Sequence, residues 1–504
     1  MNDIEKSQER YENIIRKYNT KELLKFFSKM SILSYKIDEN NRRGYTIIDL
    51  PYYIKRTGKQ GMIKNVGYGQ WELLQICYSA IKYSNDYRGK DVDNLSFYNL
   101  IEENRIYTEK LELAKSMNEL MIFEHLQCLT NIQFDFQVLN ITRRFNRMYE
   151  IMININKSKK YSQGKDVSYI DFDKVFKDIT GISIKKFIDI YFFFILFSSG
   201  RNETNLNSFI NDIKFDIEKI GFSKDDIVKV VEMQGKDYKF YRDSDNWNLL
   251  RFYPIVKTGE DYIISNIYAL LIGFPESIYW ILRNHYNKLK SRDFTSYFGK
   301  CFEFYLNEIF DYYSIKYEKL PERNEIKTPD WKIETDKYIL LVEQKAALFP
   351  IDARVATGKE RYKKLEEYLE NNVVKAFKQL NVYEVENIKK TVIRICLTFE
   401  KIYMEENAKY IVEQKMNFKT NKDLNWIVTI DEFEVLMDLL SKDEERFNDI
   451  INKKIDLEFK QDENGRGFEK LLYGMESDYV MKKIDHFHNL ADKLKEKLQY
   501  ISSK

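Results

Sequence analysis

Proline and glycine are scarce, at 6 and 18 in 504 residues. So few chain breakers exclude a collagen-like or low-complexity protein and point to long regular elements. Cysteine is scarce too. The four, at 77, 128, 301 and 396, lie far apart in apolar stretches. They form no zinc spacing and no disulfide framework, so a reduced cytoplasmic protein is expected. No excess of one charge exists: 81 Lys and Arg face 79 Asp and Glu. Any nucleic-acid binding must therefore come from local patches. Long apolar runs are missing as well. Phe187–Phe197 contains Asp189 and is too short to span a bilayer, and Ile263–Leu282 is interrupted by Asn266, Pro275 and Glu276. Both are expected to be buried helices rather than membrane spans. The opening residues, Met1-Asn2-Asp3-Ile4-Glu5-Lys6, carry no apolar signal core.

What is present is enough for large cores. Apolar residues make up 44% of the chain and aromatic residues 15%. The length exceeds that of a usual single domain, which predicts two or three. Residues 1–155 read as a helical region, with helices at Gln70–Tyr83 and Leu111–Leu129. A polar linker, Asn156–Lys165, leads to a second helical block over 166–290, with a hairpin near 251–265 turning at Thr258–Asp261. Residues 292–435 mix helices and strands, and 436–504 read as a charged helical extension. The fold class expected is α+β: a largely helical N-terminal region followed by a core with a central mixed sheet. No repeat of solenoid length is present.

One stretch carries chemistry. Thr328-Pro329-Asp330-Trp331 holds the only Pro-Asp of the chain. After it comes an apolar run, Tyr338–Val342, which ends in Glu343-Gln344-Lys345. The run reads as a buried strand. Thr335-Asp336 is the expected two-residue turn of a hairpin, and in that register Asp330 faces Leu341. Residues directly opposed, or two apart along a strand, share a face. Asp330, Glu343 and Lys345 then emerge together, two carboxylates beside one ammonium. That arrangement suits a divalent cation and phosphodiester cleavage. An acid two residues before a lysine is common in a chain this charged. The same Val-Glu-Gln-Lys recurs at 412–415, but in helical surroundings and without an upstream Pro-Asp. The second copy reads as a solvated helix face.

The neighbouring segments strengthen the first copy. Apolar residues at 298, 301, 302, 305, 306, 309 and 310 recur with helical spacing, and Glu303 falls beside that stripe. Val373–Tyr383 reads as a helix with Gln379 and Tyr383 on one face. Thr391–Thr398 and Trp426–Ile430 read as strands. Pro-Asp, then Glu-x-Lys, in the order helix, three strands, helix, strand, resembles the PD-(D/E)xK nuclease superfamily over residues 292–435. The Gln379 and Tyr383 pair is similar to the element of its RecB-like branch. The resemblance implies a restriction-endonuclease-like core and a Mg²⁺-dependent endonuclease, with Mn²⁺ able to substitute. It implies Asp330 and Glu343 as metal ligands and catalytic residues, and Lys345 as the residue that orients water or stabilises charge. Glu303 would complete the metal site, and Gln379 and Tyr383 would orient it. It further implies nucleic acid as partner, DNA more than RNA, in restriction or phage defence.

Two basic runs could hold phosphates. One is Arg354, Lys359, Arg361, Lys363 and Lys364, next to the motif. The other is Arg42, Arg43, Lys55, Arg56, Lys59 and Lys64, interleaved with Tyr45, Tyr52, Tyr53 and Tyr68. Solvated surfaces explain such runs equally well. His486 and His488, with Asp485, face different sides of a helix and are not expected to share a metal. Two other readings stay open. One is a non-cleaving nucleic-acid binder that keeps the core. The other is a helical interaction or effector protein, with a homo-oligomer or partner subunit engaged through the N-terminal region.

Overall fold

A computed structural model of the chain describes all residues except 1–2, 38–44, 55–56, 114–121, 125, 129–140, 159–166, 203, 208–217, 219–220, 245, 322–327, 356–357, 386–388, 403–404, 417–423, 460–467, 469 and 503–504. Arg42, Arg43, Lys55, Arg56, much of the expected helix over 111–129 and most of the expected linker lie outside the described residues. The protein is mixed α/β and mostly helical, with three small sheets among the described residues.

The N-terminal part begins with α1 (Asp3–Ile15) and α2 (Thr20–Ile37). Two strands follow, β1 (Tyr45–Ile54) and β2 (Lys59–Gly69), paired antiparallel. This hairpin corrects the expectation of a helical region through residue 155. Its aromatic and β-branched residues favour a pleated strand. Gly58, with φ of 65°, supplies a backbone that the turn requires and an L residue disfavours. The Tyr52 ring lies across the strand over Gly61, where any Cβ would strike it at 2.7 Å. Ile47 on this ribbon is 62% exposed.

Helices α3 (Gln70–Tyr83), α4 (Asn94–Leu113) and α5 (Ile141–Tyr149) complete this part. The second block holds α6 (Phe172–Thr180), α7 (Ile184–Arg201) and α8 (Lys224–Gln234). The apolar stretch at 187–197 is the buried interior of α7, as expected. Ser223 starts α8 through a reciprocal cap with Asp226. Strands β3 (Gly235–Asp237), β4 (Ile255–Thr258) and β5 (Asp261–Ile264) form a small sheet, in which the β4–β5 turn is Gly259-Glu260. Asn266 then accepts hydrogen bonds from the amides of Tyr268 and Ala269 and starts α9 (Ile267–Lys288). Among the described residues no helix is long and apolar enough to cross a membrane.

The C-terminal half is built on a five-stranded sheet. After α10 (Asp293–Tyr312) come β6 (Tyr317–Lys319), β7 (Trp331–Glu334) and β8 (Tyr338–Lys345). Strand β7 runs antiparallel to both β6 and β8. Helix α11 (Gly358–Leu369), a π-helical turn (Glu370–Val374) and α12 (Lys375–Val382) cross over to β9 (Thr391–Thr398). Helix α13 (Glu405–Met416) crosses to β10 (Leu424–Thr429). Strands β8, β9 and β10 are parallel, and the spatial order is β10-β9-β8-β7-β6. Helices α14 (Ile430–Lys442), α15 (Glu444–Phe459) and α16 (His486–Ser502) close the chain.

Alternation along β8 divides the core. Leu340 and Val342 face the cluster that contains α10 and α14. Ile339 and Leu341 face a second cluster, with Leu365, Leu369, Phe377 and Leu380. Both faces are covered, which is why β8 reads as an unbroken apolar run. The first cluster runs on through α1, α2, α3, α7 and α9. The helical part and the sheet are thus packed on one continuous core.

Candidate metal centre

Trp331 pairs with Val342 and Glu334 with Ile339, so the β7–β8 turn is Asp336-Lys337. The expected Thr335-Asp336 turn is corrected by this register. Thr335 instead bonds Tyr338 through both its hydroxyl and its amide. Continued by one residue, the pairing sets Asp330 opposite Glu343, not Leu341. The shift is two residues, an even number, so each side chain keeps its face. Opposition is closer than the diagonal placement expected. Asp330 also accepts a hydrogen bond from the Gln344 amide at 2.8 Å, which fixes its carboxylate at the end of β8.

Lys345 binds back to this pair. Its Nζ donates to Glu343 at 2.7 Å and to Gln379 Oε1 at 3.0 Å. Gln379 comes from α12, which packs on the face of β8 that carries Ile339, Leu341 and Glu343. The long insertion between Lys345 and Gln379 folds as α11 and the π-helical turn and does not disturb that contact.

The electrostatics follow from burial. Asp330 is pushed up to about 8, first because it is buried and next because Glu343 carries like charge nearby. The Gln344 amide and Lys345 offset part of this. Two carboxylates held together with too little solvent have a standing demand for positive charge. Cys396 lies opposite Glu343 on β9, and burial pushes its thiol up to about 12. It stays neutral, so the available donors are carboxylate oxygens. That donor chemistry fits a hard cation such as Mg²⁺ or Mn²⁺.

Glu303 lies near enough for its charge to add to the rise of the Asp330 carboxyl. Glu303 on α10 accepts from Lys300 at 2.8 Å and from Lys319 on β6. Among the described residues, the only three carboxylates within 4.8 Å of one another are Glu405, Glu406 and Glu458. Glu303, Asp330 and Glu343 do not converge that closely. Tyr383 is the first residue beyond α12, where an extended ψ of 109° turns the following chain out of the helix. Its ring packs among apolar residues of the second cluster.

The basic run near the motif is divided. Arg354 is buried at 1% exposure, ion-paired with Glu276 and Glu400. It cannot grip a phosphate. Lys359, Arg361, Lys363 and Lys364 lie on α11. Of these, Lys363 is exposed, and Lys364 lies within 3.9 Å of Glu360 and 3.5 Å of Glu367. In the other run, Lys59 and Lys64 are exposed on the ribbon, and Tyr68 is buried.

The second Val-Glu-Gln-Lys lies in α13, as expected. The Glu405, Glu406 and Glu458 cluster is already neutralised in large part, by two ammonium groups against three carboxylates. Lys409 and Lys454 pair with all three, and Glu405 also accepts the Ile427 amide. These lysines hold Glu405 down at about 2 despite its burial. His486 bonds Glu150 and His488 bonds Asp485, on separate sides.

Lys300 and Lys319 carry no sequence signal of a site. Lys300 stands one turn before Phe304 in an ordinary amphipathic helix, and Lys319 sits in a three-residue strand with no motif around it. Compared with protein-family models, curated proteins and solved structures, the chain gave no match in any of the three.

Proposed function

We propose that the protein is a divalent-metal-dependent nuclease that hydrolyses phosphodiester bonds. One observation carries this reading: Asp330 opposes Glu343, with Lys345 bound to both Glu343 and Gln379. Asp330 and Glu343 would hold Mg²⁺ through their oxygens. When bound, the cation supplies Lewis acidity toward water and the scissile phosphate. Lys345, held by Glu343, presents positive charge where the pentacovalent phosphate becomes more anionic. Gln379 fixes the direction of that ammonium.

The order helix, three antiparallel strands, crossover helix and parallel strand supports the restriction-endonuclease-like reading of residues 292–435. DNA as substrate, and a setting in restriction or phage defence, rest on the family resemblance alone. The test is cleavage of plasmid DNA with Mg²⁺, with EDTA, and by the Glu343→Ala variant. Cleavage that needs Mg²⁺ and is lost in the variant is the expected result. Cleavage that persists in excess EDTA, or full activity of the variant, refutes the reading.

A further inference from the structure

Beside the carboxylate pair lies a second group of charges that the metal reading does not use. Glu303 Oε1 accepts from two ammonium groups, Lys300 of its own helix and Lys319 of β6. Glu303 is 13% exposed and its lysines are 26% and 50% exposed, so the acid is the covered member and the cations face outward. One anion against two cations leaves the group net positive.

Its position is fixed by strand pairing. Lys319 opposes Trp331, and the Leu320 amide donates to the Asp330 carbonyl at 3.1 Å. The end of β6 is thus tied to the backbone of Asp330. Among the described residues, strand β6 is also the edge of the sheet. Lys300 lies with its Nζ 5.0 Å from the Phe304 ring centroid, which restrains the side chain. Lys319 opposes Trp331, while Lys345 shares a face with Glu343, so the two lysines stand on opposite faces of the sheet at the same end.

We propose that Lys300 and Lys319 form a phosphate subsite, anchored by Glu303, that takes a backbone phosphate of the nucleic acid where it passes the same end of the sheet. The proposal rests on the nuclease reading above. In it Glu303 is a positioning residue for two lysines and not a metal ligand. The site then has two kinds of charge with separate tasks. Asp330 and Glu343 attract the cation, and Lys300 and Lys319 attract the polyanion.

The two roles predict opposite responses to one substitution. Lys319→Gln removes a cation near the metal site and releases part of Glu303. Binding of Mn²⁺ without nucleic acid should tighten by about three- to ten-fold, as expected for losing one partly screened repulsive charge. Binding of a short DNA duplex, measured with Ca²⁺ in place of Mg²⁺, should weaken, and its salt dependence should flatten by about one unit of slope. Lys319→Arg keeps the charge and should keep the slope, and a thermal melt of each variant reports folding. An unchanged slope in Lys319→Gln, with cleavage by the wild type intact, overturns the subsite and leaves the nuclease reading standing. A loss of Mn²⁺ affinity in Glu303→Gln as large as in Asp330→Asn makes Glu303 a ligand and also overturns it. Wild-type protein that neither binds nor cuts DNA refutes the nuclease reading, and the subsite falls with it.

Discussion

The carboxylate pair should cost the metal-free protein stability, and Asp330→Asn should return it. Asp330 moves from an ordinary value of 3.8 to about 8 in the folded protein. A carboxyl raised on folding contributes stability only while protonated. That contribution is complete below about 3.8 and is lost as pH rises to about 8. At pH 7 the unfolded chain gains roughly 4 kcal/mol by ionising this group and the folded chain gains almost none. The side chain retains some solvent contact, which screens its neighbours' charges, so about 2–4 kcal/mol is the expected effect. Asparagine keeps an oxygen that can accept the Gln344 amide and removes the charge. In a chain of this length, that corresponds to a rise in Tm of roughly 2–4 °C. The assay is thermal unfolding in EDTA between about pH 4 and pH 9, which brackets the shift. The variant should exceed wild type near the upper end, and the gap should close toward the lower end. Mg²⁺ should then stabilise wild type more than the variant, since binding to the folded form alone raises stability. A variant less stable than wild type at about pH 8 in EDTA would refute the argument. It would mean that Asp330 is held ionised by its hydrogen bond, with no unmet demand for a cation.

Glu343→Ala and Lys345→Ala should each lower Mg²⁺-dependent cleavage by at least ~10²-fold, while Glu413→Ala in the helical copy leaves it within error. Gln379→Ala should lower kcat by about ten-fold with little change in folding, because only the direction of the Lys345 ammonium is lost; a variant with wild-type kcat would remove Gln379 from the site. Lys363→Glu with Lys364→Glu should flatten the salt dependence of duplex binding by about two units if α11 borders the substrate, and equal slopes would show a solvated helix surface. Arg354→Ala should cost roughly 2–4 kcal/mol in a urea titration, because Glu276 and Glu400 lose a buried partner and keep Arg251 and the more distant Arg144, and Arg354→Met should cost less. A change below about 1 kcal/mol for the alanine variant, by the same titration, would refute the buried-pair account.

Much of the site is legible in the sequence because strand alternation survives errors of two residues. Turn propensity favours Thr335-Asp336 and the turn is Asp336-Lys337, yet Asp330, Glu343 and Lys345 stay together. Strand β9 spans the expected Thr391–Thr398 because β-branched residues and a two-sided apolar pattern leave little choice. The hairpin at 45–69 is harder to see, because its residues alternate only in part and its lysines and arginines suggest a loop. Tyr383 differs from expectation by a single residue at a helix end, where local pattern is weakest.

The chain alone determined which residues stand together as candidate ligands. Pro-Asp before an apolar strand, and Glu-x-Lys at the end of it, are local features, and local periodicity is enough to place them on one face. It also determined that α7 and α9 would be buried, since their apolar content leaves no other favourable state. Tertiary structure decided the partners. Arg354 and Lys364 are equally basic in the sequence, but the first is enclosed by Glu276 on α9 and by Glu400 beyond β9. Glu303, expected beside the carboxylate pair, is held by Lys300 and Lys319, the latter from a strand with no motif. Ion pairs between residues distant in sequence depend on which surfaces meet, and those surfaces meet only when the shared core closes.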